Sequence, residues 1–182
     1  LLQQRRSFWE GRLGQQVASP RFTLIDDPHL PGGFASRLFD EDGITARRRK
    51  IFEKGVLSQF LIDVYYARKL NVAPTGGSTS NLCLLPGEQS ASGLIASVND
   101  GVFVTTFRGG NSDSTRGEFS LGIAGFAIRD GKLAEPIGEM NLSGNHLSFW
   151  KRLQAVANDP YRYSATRSPA LLFDDVMVSG LS

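Results

Sequence analysis

The chain holds two histidines, His29 in "DDPHLPG" and His146 in "SGNHLSF", and one cysteine, Cys83, between Leu82 and Leu84. Acidic residues cluster at Asp26-Asp27, Asp40-Glu41-Asp42 and Asp174-Asp175. These residue types can hold a metal, attack a carbonyl or move a proton, and their spacing decides whether they do. A zinc site needs a converging set of N, S or O donors. Neither histidine is followed by a glutamate or stands at helical spacing from a second ligand, so no metal site is expected within the chain. His29 reads as an exposed turn residue and His146 as a first-turn helix residue. Cys83 lies in an apolar run without a nearby base or helix start, which suits a small buried hydrophobe better than a nucleophile. No G-x-S-x-G elbow is present to activate a serine. Neighbouring carboxylates on a strand point to opposite faces, so the acidic clusters read as solvated turn acids. The sequence gives no reason to expect a catalytic residue here.

The stretch "GEFSLGIAGFAIRDGKLAEP", residues 117 to 136, raises a different chemistry, because four glycines among apolar residues could cradle a phosphate. Such a cradle works only between a strand and a helix start, where amides converge on the anion. Gly117 and Gly122 have the five-residue separation of the two glycines in a G-x-x-x-x-G-K-S/T phosphate loop, but Ile123 and Ala124 stand where a lysine and a hydroxyl residue are needed. Asp130-Gly131 then turns the chain back before a helix can begin. The glycines are expected inside strands, at bulges, bends or close backbone approaches. They could serve a bent strand in a barrel-like sheet, or a main chain left bare so that a peptide can lie against it.

The elements that must position these residues are mostly strands. "RFTLID", residues 21 to 26, reads as a first strand ending before Pro28, and "RRRKIFEKGVLSQFLID" as a hairpin about Lys54-Gly55. "VYYARKLN" has helical character, "APTGGSTSN" is a loop and "NLCLLPG" a short strand. "SASGLIASVNDG" reads as a helix capped by Ser90 and closed by Gly101, followed by the strand "VFVTTF". "FAIRDGKLAEPI" is a hairpin about Asp130-Gly131. "SGNHLSFWKRLQAVANDP" sets Leu147, Trp150, Leu153 and Val156 or Ala157 at helical spacing, which predicts a helix capped by Ser143 or Asn145 and ended before Pro160. "ALLFDDVMVSG" closes the chain as one or two strands. The predicted fold is α+β, predominantly antiparallel sheet, barrel- or sandwich-like, with a few flanking helices. Residues 1–20 are expected to be a lead-in from a missing amino-terminal half, and residues 21–182 a single β-rich domain.

Composition narrows the class. A chain of 182 residues that is 41% hydrophobic can bury a sizeable core, and 20 basic residues against 18 acidic ones leave no broad field for nucleic acid or membrane. The run Arg47-Arg48-Arg49-Lys50 is expected to be a charged edge that blocks sheet aggregation rather than a nucleic-acid contact. One cysteine fits a reducing, cytoplasmic setting. No apolar run approaches the roughly 20 residues that cross a bilayer. The absence of an initiator methionine suggests a piece of a longer protein.

Taken in order, "FDEDGITARRRKIFEKGVLSQFLIDVYYARKLNVAPTGG", "NLCLLPG", "GEFSLGIAGFAIRDGKLAEPIGEMNLSGN" and "VANDP" resemble the carboxy-terminal domain of the TldD/PmbA family, once called modulators of DNA gyrase. The resemblance implies dimers around an enclosed cavity that degrades or processes peptides. It also implies that catalytic members hold a divalent metal, zinc by expectation, on a His-Glu-x-x-x-His helix outside this chain, with a cysteine near the carboxy terminus. "NDPYRYSATRSPALLF" stands where that cysteine would be and has none, which resembles the PmbA (TldE) branch. Members of that branch lack the metal and assemble with a TldD-like, metal-bearing subunit. Whether the pairing is a homodimer or a heterodimer stays open.

The resemblance sets "FRGGNSDSTRGEF", residues 107 to 119, beside the family cavity. Gly109, Gly110, Asn111, Thr115 and Gly117 are therefore candidates to line the path of an extended peptide, with Asn81 and the "PTGGSTS" loop as second contributors. A plain surface loop is the other reading; if the loop lines the path, valine at Gly110 is expected to weaken peptide turnover at little cost in stability. The alternative function is a non-catalytic module that binds a peptide or protein by sheet-edge addition.

Overall fold

The computed structural model describes residues 7 to 180. In chain order its elements are β1 (Leu24–Asp27), β2 (Arg49–Glu53), β3 (Val56–Leu57), α1 (Val64–Leu70), β4 (Asn81–Leu84), α2 (Ala91–Ala96), β5 (Asp100–Ser112), β6 (Glu118–Arg129), β7 (Lys132–Asn145), α3 (His146–Phe149), β8 (Leu153–Val156), β9 (Thr166–Arg167), β10 (Leu171–Phe173) and β11 (Met177–Gly180). They form a five-stranded sheet in the order β3-β2-β1-β4-β9, a β10-β8 ribbon, and a four-stranded sheet in the order β11-β7-β6-β5. Every pairing is antiparallel except β4 with β9. The fold is thus the predicted antiparallel α+β type, but both large sheets are open and no barrel closes.

Local chemistry accounts for the turns. Lys54 and Gly55 take φ of 48° and 81°, and Asp130 and Gly131 take 49° and 74°, so each pair turns its hairpin with two positive φ values, the twist-matched geometry for a two-residue connection. Asp63 caps α1 by accepting from the Tyr66 N–H, and Asn71 ends it at φ 54°. Ser90 caps α2 through the Gly93 N–H, as its sequence suggests. The helix ends at Ser97, however, and Gly101 already lies in β5.

Two apolar clusters hold the sheets. Phe22, Leu84, Leu153 and Val156 form one beneath the five-stranded sheet, and Phe119, Ile123 and Leu142 form the other under the long hairpins. Aromatic rings join them: Phe149, packed on the second cluster, stacks on Phe173 of the first at 4.2 Å and meets Trp150 edge-on at 5.6 Å. Residues 16 to 18, ahead of β1, pack onto this body: Gln16 bridges to Val56 while Val17 and Ala18 are buried.

The helix predicted across residues 146 to 157 is the main correction to the fold. Only His146–Phe149 is α-helical; a tight 3-10 turn follows at Trp150–Arg152, and β8 begins at Leu153. In the β8–β10 ladder Leu153 faces Phe173, Ala155 faces Leu172 and Val156 faces Leu171, so Gln154 is an extra residue opposite the step from Leu172 to Phe173. That bulge turns Leu153 and Val156 into the same core three residues apart, which imitates helical spacing.

Candidate functional site

The residues expected to line a peptide path gather at one end of the β5–β6 hairpin, but not in the loop the sequence suggests. β5 continues to Ser112 and β6 starts at Glu118, so Gly109, Gly110 and Asn111 are strand residues and only 113 to 117 turn. β5 is an outer strand of its sheet, exposed from Thr105 through Ser112. Between Phe107 and Gly110 the register slips by one residue, because Phe107 faces Ile123 and Gly110 faces Leu121. Gly109 at φ 89° and Gly110 at φ 134° make this bulge possible. A Cβ on Gly110 would also overlap the Ser120 carbonyl oxygen. Valine there would therefore strain the strand, contrary to the expectation of a tolerant loop position.

The turn itself is pinned. The Asp113 carboxylate accepts the N–H groups of Thr115 at 2.7 Å and Arg116 at 3.2 Å, and these bonds hold its pKa below the usual carboxylate value. Gly117 at φ 80° donates to the Asp113 carbonyl at 2.7 Å and accepts from the His146 N–H at 2.8 Å. Asn145 donates to the Arg116 carbonyl at 3.0 Å while its Oδ1 caps α3 through the Leu147 N–H. Thr115 stays exposed at the tip.

Asn81 lies apart from this group. It is fully buried at the start of β4, where Oδ1 accepts from the Ala35 N–H and Nδ2 donates to the Asp27 carbonyl and to Ser36 Oγ. Its amide is spent on holding the 33 to 36 segment, so any part it takes in binding runs through that segment.

A second concave region, a cleft of about 500 Å³, opens over β1 and β2. Asp26 faces Arg49 directly across the ladder, and the pair closes at 2.9 Å with Asp26 2% exposed. Asp26 also accepts from the N–H and hydroxyl of Ser80. Arg49 continues onto the carbonyls of Thr75, Gly76 and Ser78, and Arg37 reaches Ser78 through Oγ at 2.9 Å and the carbonyl at 2.8 Å. Two guanidiniums thus clamp the glycine-rich loop predicted at 74 to 80. One sequence reading changes here: Asp26 is a buried ion-pair partner rather than a solvated turn acid. β3 pairs with β2 only at Phe52 and Glu53, so among the described residues Arg49 and Lys50 have a strand partner on the β1 side alone. The signal available in sequence was an acidic pair and a basic run in neighbouring strand segments, but the register that unites them comes from the sheet.

The titratable residues keep structural places. The His146 ring lies 5.4 Å from Phe8 and 4.7 Å from Phe119, with Nε2 3.2 Å from Ser112 Oγ and Nδ1 buried without a hydrogen-bond partner. Burial lowers its pKa. Burial raises the Cys83 thiol, against an opposing pull from Arg167, so the thiolate is disfavoured. His29 is exposed. Among the described residues no group of three or more His, Cys, Asp or Glu side chains could hold a metal ion. The donor set of this chain does not fit the metal that the resemblance implies for the family. No helix among the described residues is long and apolar enough to cross a membrane.

Fold and site together define an antiparallel α+β domain that presents a long outer strand and, among the described residues, no converging set of metal donors. The family described as PmbA/TldA metallopeptidase C-terminal domain matches residues 1–180, and the chain belongs to it. It is 31% identical over 181 residues to a metalloprotease PmbA homolog of Buchnera aphidicola subsp. Baizongia pistaciae, covering 98% of this chain and 40% of that protein. It is 36% identical over 171 residues to a metalloprotease of Methanothermobacter thermautotrophicus, covering 87% and 37%. A solved structure from Bacteroides thetaiotaomicron, described as a modulator of DNA gyrase, superposes with a TM-score of 0.96 at 47% identity, covering 99% of this chain and 41% of that one. The chain therefore spans about two fifths of the length of the curated relatives it matches.

Proposed function

We propose that this chain is the carboxy-terminal domain of the metal-free partner type of subunit, lining the peptide cavity of a cytoplasmic PmbA/TldD-type metallopeptidase assembly. The observation that carries the reading is the outer strand β5, whose exposed residues Thr105 to Ser112 include two glycines that leave the main chain bare. An extended peptide can add to such an edge through backbone hydrogen bonds, a mode tolerant of peptide sequence. Gly109, Gly110 and Asn111 border the path and Thr115 and Gly117 close its end, while Asn81, apart from them, contributes only through the 33 to 36 segment it holds. The catalytic metal, zinc by expectation, and its ligands belong to a TldD-like partner or to the part of the protein beyond this chain, in a homodimer or heterodimer. On this reading the chain's own work is to bind and orient peptide.

The test is the double variant Asn111→Lys with Thr115→Lys in the intact assembly. Both positions are exposed, so the melting temperature should stay within about a degree or two, as surface substitutions change stability little. Peptide turnover should fall several-fold. Unchanged turnover would retire the path. A non-catalytic binding module working by edge addition is supported by the same strand; it would show peptide binding with no turnover in any assembly.

A further inference from the structure

The cleft over β1 and β2 has a volume of about 500 Å³, within the several hundred Å³ usual for ligand sites. Arg37, Arg47, Arg48 and Arg49 line it, against the carboxylates of Asp26 and Asp40. Their neutralisation is unequal. Arg49 is paired with Asp26 at 2.9 Å and Arg48 with Asp27 at 3.1 Å. Arg37 reaches only the neutral hydroxyl and carbonyl of Ser78, and its Nε is buried with no partner. Arg47 is exposed and forms no ion pair among the described residues. Asp40 spends Oδ1 on the N–H groups of Asp42 and Ile44 and forms no ion pair among the described residues. A half-buried guanidinium without a counter-charge is unfavourable, and an anion entering the cleft relieves it.

We infer that this cleft binds a peptide carboxylate, with Arg37 and Arg47 as its cations. A guanidinium offers paired N–H donors that suit a carboxylate's two oxygens. Asp26 and Asp40 in the same wall disfavour a doubly charged phosphate, and the cleft is far larger than an inorganic anion requires. The choice of a peptide as the carrier rests on the peptide reading above; the anion site rests on the cleft alone. The basic run that the sequence assigned to a sheet edge thereby acquires a second role.

The experiment is a calorimetric titration of the full-length protein containing this chain, using acetylated tetra-alanine with a free carboxy terminus, its carboxy-terminal amide, and inorganic phosphate. The carboxylate peptide should bind saturably, with the amide and phosphate each about tenfold weaker or more. Arg47→Gln should weaken the carboxylate peptide about tenfold and leave the amide and the melting temperature unchanged, since Arg47 is exposed and in no ion pair among the described residues. Equal affinity for carboxylate and amide would overturn the inference while leaving the strand-edge reading intact. So would phosphate binding tighter than the peptide, no binding by any probe, or an Arg47→Gln protein that binds like its parent. Discrimination lost in Arg47→Gln but kept in the Asn111/Thr115 double variant would support this site independently of the strand edge.

Discussion

Arg49 on β2 and Asp26 on β1 face each other in register and close an ion pair at 2.9 Å, with side chains only 14% and 3% exposed. The same guanidinium holds the carbonyls of Thr75, Gly76 and Ser78, so one residue ties two strands to the glycine-rich loop. Removing one member of a buried pair leaves an uncompensated charge, which costs about 3–5 kcal/mol. Asp26→Ala should therefore lower unfolding stability by about that amount in urea denaturation, and Asp26→Ala with Arg49→Met should lose less than the sum of the two single variants.

Two glycines of the long hairpins are steric requirements. A Cβ on Gly110 would meet the Ser120 carbonyl, and one on Gly125 the Phe103 carbonyl. Gly110→Val and Gly125→Ala should each cost about 1–3 kcal/mol, the usual penalty for forced overlap. Gly138 has open space around its would-be Cβ and no positive φ. Gly138→Ala is the control and should leave the melting temperature unchanged or slightly raised, because a restricted unfolded chain favours folding.

What was legible in the sequence was local. The hairpins about Lys54-Gly55 and Asp130-Gly131 could be read because positive φ is written in residue type, and α1 and α2 because Ser90 and the end of "VYYARKLN" mark their bounds. What stayed hidden depended on partners elsewhere in the chain. The β8 segment has a helical pattern in the sequence because the bulge at Gln154 spaces Leu153 and Val156 like helical neighbours. The polar loop at 107 to 112 was strand because β6 supplies its ladder. The cleft escaped altogether, since Arg37, Arg47, Asp26 and the 74 to 80 loop meet only through sheet register and loop packing.

The reassignment of β8 has its own test. Leu153 is 2% exposed and packs in the cluster with Phe22, Leu84 and Val156. Leu153→Ala should cost about 2–5 kcal/mol, the range for emptying a buried leucine site. Its amide-exchange pattern should show 153 to 156 protected together with 171 to 173, the partner strand, rather than with 146 to 149.

His146 gives the fold a pH dependence whose sign is fixed. Burial depresses its folded pKa below the usual value of 6.5, so the unfolded chain binds the proton more readily. Its neutral form is fully favourable above that usual value, and stability falls as pH drops from about 6.5 through the lower folded pKa, then levels off. Thermal unfolding between pH 7.5 and 5 should show this decline, and His146→Gln should flatten it. A parent protein as stable at pH 5 as at pH 7.5 would place the proton elsewhere.

In the proposed function β5 is the strand that receives peptide. Amide hydrogen exchange of the intact assembly, with and without a slowly cleaved peptide, tests this most directly. Slowed exchange confined to residues 105 to 112 and the 113 to 117 turn is the predicted result. Unchanged exchange across that edge, with protection arising in another part of the assembly, would contradict it.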